Sequence, residues 1–131
     1  MIYLGSAAIV KLVHAEAESP ALRAWLSERA ATGWISSALA EVESFRALAR
    51  YAPASAARLP LVLDLVELVD LDAGLRARAR AITPSVRSLA AIHLATALRL
   101  GPQLTSFVTY DQRLADAASA AGLQVDMPAA A

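Results

Sequence analysis

Cysteine is absent from this 131-residue chain. That excludes disulfides and thiolate metal sites. Lysine is almost absent: Lys11 stands alone, and every other side-chain cation apart from the histidines is an arginine. Aromatic residues make up only 5%, and they are not interleaved with basic residues, so no stacking platform for bases is legible. No apolar run approaches the ~20 residues that a membrane span requires. The opening Met1-Ile2-Tyr3-Leu4 has neither a basic flank nor a long apolar region, unlike a secretory leader, so a cytoplasmic location is expected. An excess of one charge sign is also missing, with 12 basic against 12 acidic residues. This weighs against a general nucleic-acid binder, which is usually clearly basic.

What is present is apolar mass. Hydrophobic residues reach 57%, enough for a real core and too many for a disordered chain. Much of this is alanine, which enters helices at little entropic cost. The length suits one domain, taken as residues 1–126 with a tail at 127–131.

The chain reads as alternating strands and helices. Strands are expected at Ile2–Leu4, Trp34–Ser36, Glu67–Leu71, Ser106–Thr109 and Leu123–Val125. Helices are expected over Ser6–Val13, Ala21–Ala31 behind Pro20, and Ser37 to about Tyr51. Others should run from Ser55 to about Leu65 with a start or kink at Pro60, from the Asp72 cap to Ala81, over Arg87–Leu100, and from Asp111 to Ala121. In the third of these, Leu39, Val42, Phe45, Leu48 and Ala49 recur at helical spacing. Gly101 and Gly122 serve as stop signals. Strands separated by helices pair in parallel, with helices on both faces.

In such a sheet, ligands bind beyond the carboxyl ends of the strands, where the strand order reverses. Gly5 follows the first strand, Glu41 opens the helix after the second, residues 87–90 open the penultimate helix, and Asp111 follows the fourth strand. Glu41 and Asp111 are oxygen donors of the kind that hold Mg²⁺. Each also has an ordinary structural use. Asp111 sits where a helix cap belongs, and Glu41 lies where the helix dipole favours an acid. Arg76, Arg78, Arg80 and Arg87 form either a solvated helix face or a phosphate-contacting patch. His14 reads as a surface residue, and Trp25, Trp34, Phe45 and Tyr51 as core or interface.

Four segments, in order, resemble VapC-type PIN-domain ribonucleases: Ile2-Tyr3-Leu4-Gly5-Ser6-Ala7-Ala8, Ser36-Ser37-Ala38-Leu39-Ala40-Glu41-Val42-Glu43, Arg87-Ser88-Leu89-Ala90-Ala91-Ile92-His93-Leu94-Ala95 and Phe107-Val108-Thr109-Tyr110-Asp111-Gln112-Arg113. The resemblance implies a PIN-like three-layer α/β/α fold around a parallel sheet of four to five strands. It matches Glu41 and Asp111 to two members of the family's acidic quartet. At the other two positions, where the family has Asp, this chain has Gly5 and Ala90. Ser6 matches the hydroxyl position beside the first acid, with capping as its ordinary role. Asp116 is a candidate accessory acid or simply an exposed helix residue. His93, one turn beyond Ala90, is either a contact to RNA phosphate or a hydrogen-bonded helix histidine.

The resemblance further implies Mg²⁺ or Mn²⁺ as cofactor, a tRNA- or rRNA-class substrate, a VapB-type antitoxin partner and a homodimer. Two missing carboxylates remove two charges and two oxygen donors from a cation that tolerates little departure from octahedral oxygen geometry. Weak metal binding and a large loss of cleavage are therefore expected. Neighbours of Gly5 and Ala90 keep the family pattern, which fits either deliberate inactivation or a degenerate natural homologue. A non-catalytic module acting through antitoxin binding and a repressor complex is the alternative function.

Overall fold

The computed structural model describes residues 1–130. Five parallel strands, β1 (Ile2–Leu4), β2 (Trp34–Ser37), β3 (Val66–Val69), β4 (Ser106–Val108) and β5 (Val125–Asp126), form one sheet in the order β3-β2-β1-β4-β5. Eight α-helices connect them: α1 (Ser6–Val13), α2 (Ser19–Ser27), α3 (Leu39–Tyr51), α4 (Pro53–Ala56), α5 (Leu59–Leu63), α6 (Ala73–Arg80), α7 (Ser88–Leu100) and α8 (Gln112–Ala120).

The short strands alternate sides with period two, which produces the layers. Ile2, Leu4 and Val108 face one way and pack with Ile9 and Val13 of α1, Leu22 and Leu26 of α2, Leu48 of α3 and Leu59 of α5. Tyr3, Ile35 and Phe107 face the other way and pack with Leu94 and Ala97 of α7 and Leu114 and Ala118 of α8. Two cores therefore sandwich one sheet, as expected for three layers.

The chain builds outward from β1 through β2 to β3, then returns to lay β4 on the other side of β1. The order reverses between β1 and β4, whose register pairs Leu4 with Val108. A cleft must open beyond these two carboxyl ends, because the helices after them leave to opposite faces.

Several boundaries differ from expectation for local reasons. The expected helix over 55–65 is two short ones, because Pro60 opens α5 and cannot continue a preceding helix. α2 ends at Ser27 rather than Ala31, and turns occupy the stretch to Thr32. β3 and β5 lie one or two residues away from the expected spans. Gly101 (φ 57°) and Gly122 (φ 93°) supply the left-handed backbone that ends α7 and α8. Met127–Ala130 follow β5 without helix or strand, with Tyr110 Oη donating to the Pro128 carbonyl at 2.8 Å. The expected tail extends to residue 131, which lies outside the described residues. No helix among the described residues is long and apolar enough to cross a membrane.

Candidate functional site

The cleft at the β1/β4 reversal has a volume of about 430 Å³ and is lined by Gly5, Ser6, Glu43, Ala90, His93 and Asp111, among others. Gly5, Ser6 and Asp111 are set by element ends, and Glu43, Ala90 and His93 by the first two turns of α3 and α7. Gly5 follows β1, and its N–H donates to the Val108 carbonyl at 2.9 Å. Its backbone (φ −68°, ψ 165°) is ordinary extended geometry that any residue adopts. A Cβ there would stand 3.3 Å from the Val108 carbonyl oxygen, close enough that the neighbour must give slightly. Nothing in the conformation therefore calls for glycine. Ala90 is half-buried in the first turn of α7, whose start has no side-chain cap.

Asp111 caps α8, its Oδ1 accepting from the N–H groups of Arg113 (3.0 Å) and Leu114 (3.2 Å). Capping and cleft lining coincide in this residue. Asp116 is exposed and accepts from Gln112 Nε2 at 2.9 Å, one turn along α8 and outside the cleft that holds Gly5 and Ala90.

The acid that α3 sends into this cleft is Glu43, not Glu41. The two are separated by ~200° around the helix axis, so only one can face the site. Glu41 is exposed and lines a separate groove with Val42, Phe45, Leu59 and Leu63. The phase of α3 is set by Ala40, Ser44 and Leu48, which are buried at i, i+4 and i+8. Ser44 satisfies its hydroxyl on the Ala40 carbonyl. Val42 and Phe45, read from the sequence as part of the apolar face, are 55% and 53% exposed.

Glu43 joins three helices. Ser6 Oγ donates to its Oε1 at 2.7 Å, and His93 Nε2 lies 2.6 Å from the same oxygen. An ionised carboxylate can only accept, so Nε2 carries the proton in this contact. On the other side of the ring, His93 Nδ1 meets Tyr3 Oη at 2.6 Å, and Tyr3 Oη accepts from the Ser37 N–H at 3.1 Å. Burial pushes the Glu43 carboxyl up, but the hydrogen bond and charge of His93 and the bond from Ser6 outweigh it. The net effect holds Glu43 below the usual glutamate value. Burial drives the Tyr3 phenol well above its ordinary value, so it stays neutral. His93 is only 4% exposed and packs edge-on to Tyr3. It is thus a bonded interior histidine whose Nε2 edge is spent on Glu43.

Tyr110 borders the cleft beneath Lys11, whose Nζ lies 4.6 Å above the ring and pairs with Glu16 at 3.1 Å. Burial, and then the nearby Glu18, push the Tyr110 phenol up to about 12. His14 is not a plain surface residue. Its Nδ1 lies 3.0 Å from Ser55 Oγ and so ties the end of α1 to α4. Trp25 and Trp34 pack against the first core, whereas Phe45 and Tyr51 are exposed.

The donor set does not suit a divalent cation. Among the described residues no group of three or more His, Cys, Asp or Glu side chains is placed to hold a metal ion. The two acids that reach the cleft are already engaged, Glu43 by Ser6 and His93 and Asp111 by backbone N–H groups. Magnesium keeps several waters but still takes one or two well-placed carboxylates plus substrate oxygens.

Comparisons with known proteins identify the family and the fold. The PIN domain family matches residues 2–120. Ribonuclease VapC35 of Mycobacterium tuberculosis is 47% identical over 98% of this chain and 97% of its own length. Ribonuclease VapC46 of the same species is 42% identical, over 97% of both chains. Ribonuclease VapC47 is 37% identical over 99% of this chain and 98% of its own. Among solved structures, the M. tuberculosis VapC20 toxin, described as cleaving the sarcin-ricin loop, superposes with a TM-score of 0.73. That match covers 94% of this chain and 96% of the other, and at 18% identity it speaks to the fold.

Proposed function

This chain belongs to the PIN-domain family, among its VapC ribonucleases, and from that premise we propose that it is the toxin component of a type II toxin–antitoxin system whose cutting site has been disarmed. One observation carries the reading. The cleft at the β1/β4 reversal is walled by Gly5 and Ala90 at the two positions matched to family aspartates, while Glu43 and Asp111 still reach it.

VapC ribonucleases are metal-dependent enzymes that act on RNA and are paired with VapB antitoxins. Held by a full set of carboxylates, an ion such as Mg²⁺ or Mn²⁺ would supply Lewis acidity toward phosphate and water. Here the side chains do not fit that ion. What they do is hold a fixed anion, Glu43, against an internal donor pair. RNA of the tRNA or rRNA class, a VapB-type antitoxin, a homodimer and a cytoplasmic location complete the reading. The same residues support the alternative of a non-catalytic module that acts by binding antitoxin within a repressor complex.

The decisive test is a double reversion, Gly5→Asp with Ala90→Asp, expressed without antitoxin. Growth arrest with metal-dependent RNA cleavage, neither shown by the parent chain, supports the proposal. A harmless and inert double revertant overturns it.

A further inference from the structure

The cleft does not end at Asp111. Arg87, Ala90, Asp111 and Leu114 line it and also line an adjoining cleft that adds Ser85 and Arg113. Ser85, Val86 and Arg113 in turn continue into a third, which adds Thr83 and Asp116. The three form one groove, running from Glu43 along the 83–88 connection toward the outer face of α8.

Charge along this groove is unevenly committed. Its carboxylates all have partners inside the protein: Glu43 with Ser6 and His93, Asp111 with two N–H groups of α8, Asp116 with Gln112. Its two guanidinia, Arg87 and Arg113, are exposed, and neither makes an ion pair or a side-chain hydrogen bond among the described residues. Arg99 pairs with Asp72 and Arg76 donates to the Leu71 carbonyl, so the arginines around the groove are not uniformly free. Hydroxyls of Ser88, Ser85 and Thr83 line the same groove in turn, from the cleft outward.

Unpaired guanidinia spaced along a hydroxyl-lined groove match a phosphodiester backbone, where planar forks meet phosphate oxygens. Aspartates at positions 5 and 90 would add two charges at the head of the groove and repel a phosphate that arrived without metal. With Gly5 and Ala90 that repulsion is gone. We propose that this chain binds single-stranded RNA without any metal, its phosphates resting on Arg87 and Arg113 and the strand entering the Gly5–Ala90 cleft. The proposal rests on the ribonuclease-family reading above, but it concerns binding, which can persist where cleavage has been lost.

The test is fluorescence anisotropy of the full chain with a labelled oligouridylate in EDTA, across a salt series. The expected result is saturable binding whose log affinity falls linearly with log salt. Arg87→Gln together with Arg113→Gln should weaken binding by about tenfold or more. It should also flatten the salt slope by about 0.7 for each phosphate that is no longer neutralised. Both positions are exposed, and circular dichroism of the variant checks that it folds. Gly5→Asp with Ala90→Asp should weaken binding in EDTA and regain it when Mn²⁺ is added.

No binding in EDTA overturns the proposal, as does an unchanged salt slope in the double glutamine variant. Binding of labelled polyglutamate, lost in that variant while oligouridylate fails to bind, overturns it in favour of an acidic peptide. Cleavage by the double aspartate revertant is scored separately. A revertant that cuts, beside a parent that does not bind, sinks this inference alone. A parent that binds through the arginines, beside a revertant that never cuts, sinks only the disarmed-nuclease reading.

Discussion

The front and back of the cleft are built from different chemistry. At the front stand Gly5 and Ala90, neither of which carries a polar side chain. At the back, Ser6, Glu43, His93 and Tyr3 form an unbroken hydrogen-bonded row from α1 through α3 and α7 to β1. The difference lies in what each position does for the fold. A carboxylate at 5 or 90 would only hold an ion, and the backbone there is indifferent to its loss. Glu43 and His93 also satisfy each other in a poorly hydrated place, where an unpaired partner is costly. Gly5 and Ala90 thus leave no hydrogen bond of the fold unmade, whereas Glu43 and His93 tie α1, α3 and α7 together.

The largest effect should come from refilling the front. Gly5→Asp with Ala90→Asp should raise Mn²⁺-dependent cleavage of RNA by at least ~10²-fold, since even outer-shell changes at metal sites cost 10–100-fold. In that background Glu43→Gln should abolish the gain and Glu41→Gln should leave it intact, as measured by gel-resolved cleavage. A gain that depends on Glu41 would break the comparison, because the acid would then lie on the wrong face of α3.

Next comes removal at the back. His93→Ala leaves Glu43 and Tyr3 without a shared partner and opens a void beside a buried tyrosine, so a loss of about 2–4 kcal/mol is expected in urea unfolding. Metal should sort the two regions more gently. EDTA and Mn²⁺ should leave the parent's Tm unmoved. The double revertant should be less stable than the parent in EDTA, and Mn²⁺ at about a hundred times its Kd should restore ~2.7 kcal/mol.

Acid should act on the back through Glu43. Because Glu43 is held below its ordinary value of 4.5, its contribution is fully present above that pH and fades as pH falls below it. Glu43→Gln should therefore flatten the acid limb of the stability curve while lowering the neutral plateau. The smallest effect is expected at the front again. Gly5→Ala should change stability by less than ~1 kcal/mol, because relief of unfolded-state entropy opposes the 3.3 Å contact with the Val108 carbonyl oxygen.

The strand–helix alternation and the Asp111 cap were legible in the sequence, because local patterns determine them, whereas the strand order that puts the first and fourth strands side by side is set by packing. Period two, helix stops at Gly101 and Gly122, and a helix-opening acid need no distant partner. The acid on α3 was not legible in the same way. Glu41 and Glu43 are chemically identical and two residues apart, so only the rotation of the helix chooses between them. Val42 and Phe45 pointed to the wrong rotation, since large apolar residues ordinarily mark the buried face. The small residues Ala40 and Ser44 set it instead, by letting α3 approach closely. The Tyr3–His93 contact joins residues 90 positions apart, and no spacing rule reaches that far.

The lone lysine has a consequence for experiments. Lys11 Nζ is clasped by Glu16 and Glu18 above Tyr110, with its side chain only 12% exposed. The terminal amine of Met1 donates to the Gln103 carbonyl at the far end of the strands. Dyes and cross-linkers that seek lysine amines will therefore find little purchase on this protein, and its arginines will look blank to them. Guanidine-directed reagents such as glyoxals will see what those miss. Protection of Arg87 and Arg113 from them would map whatever lies in the groove.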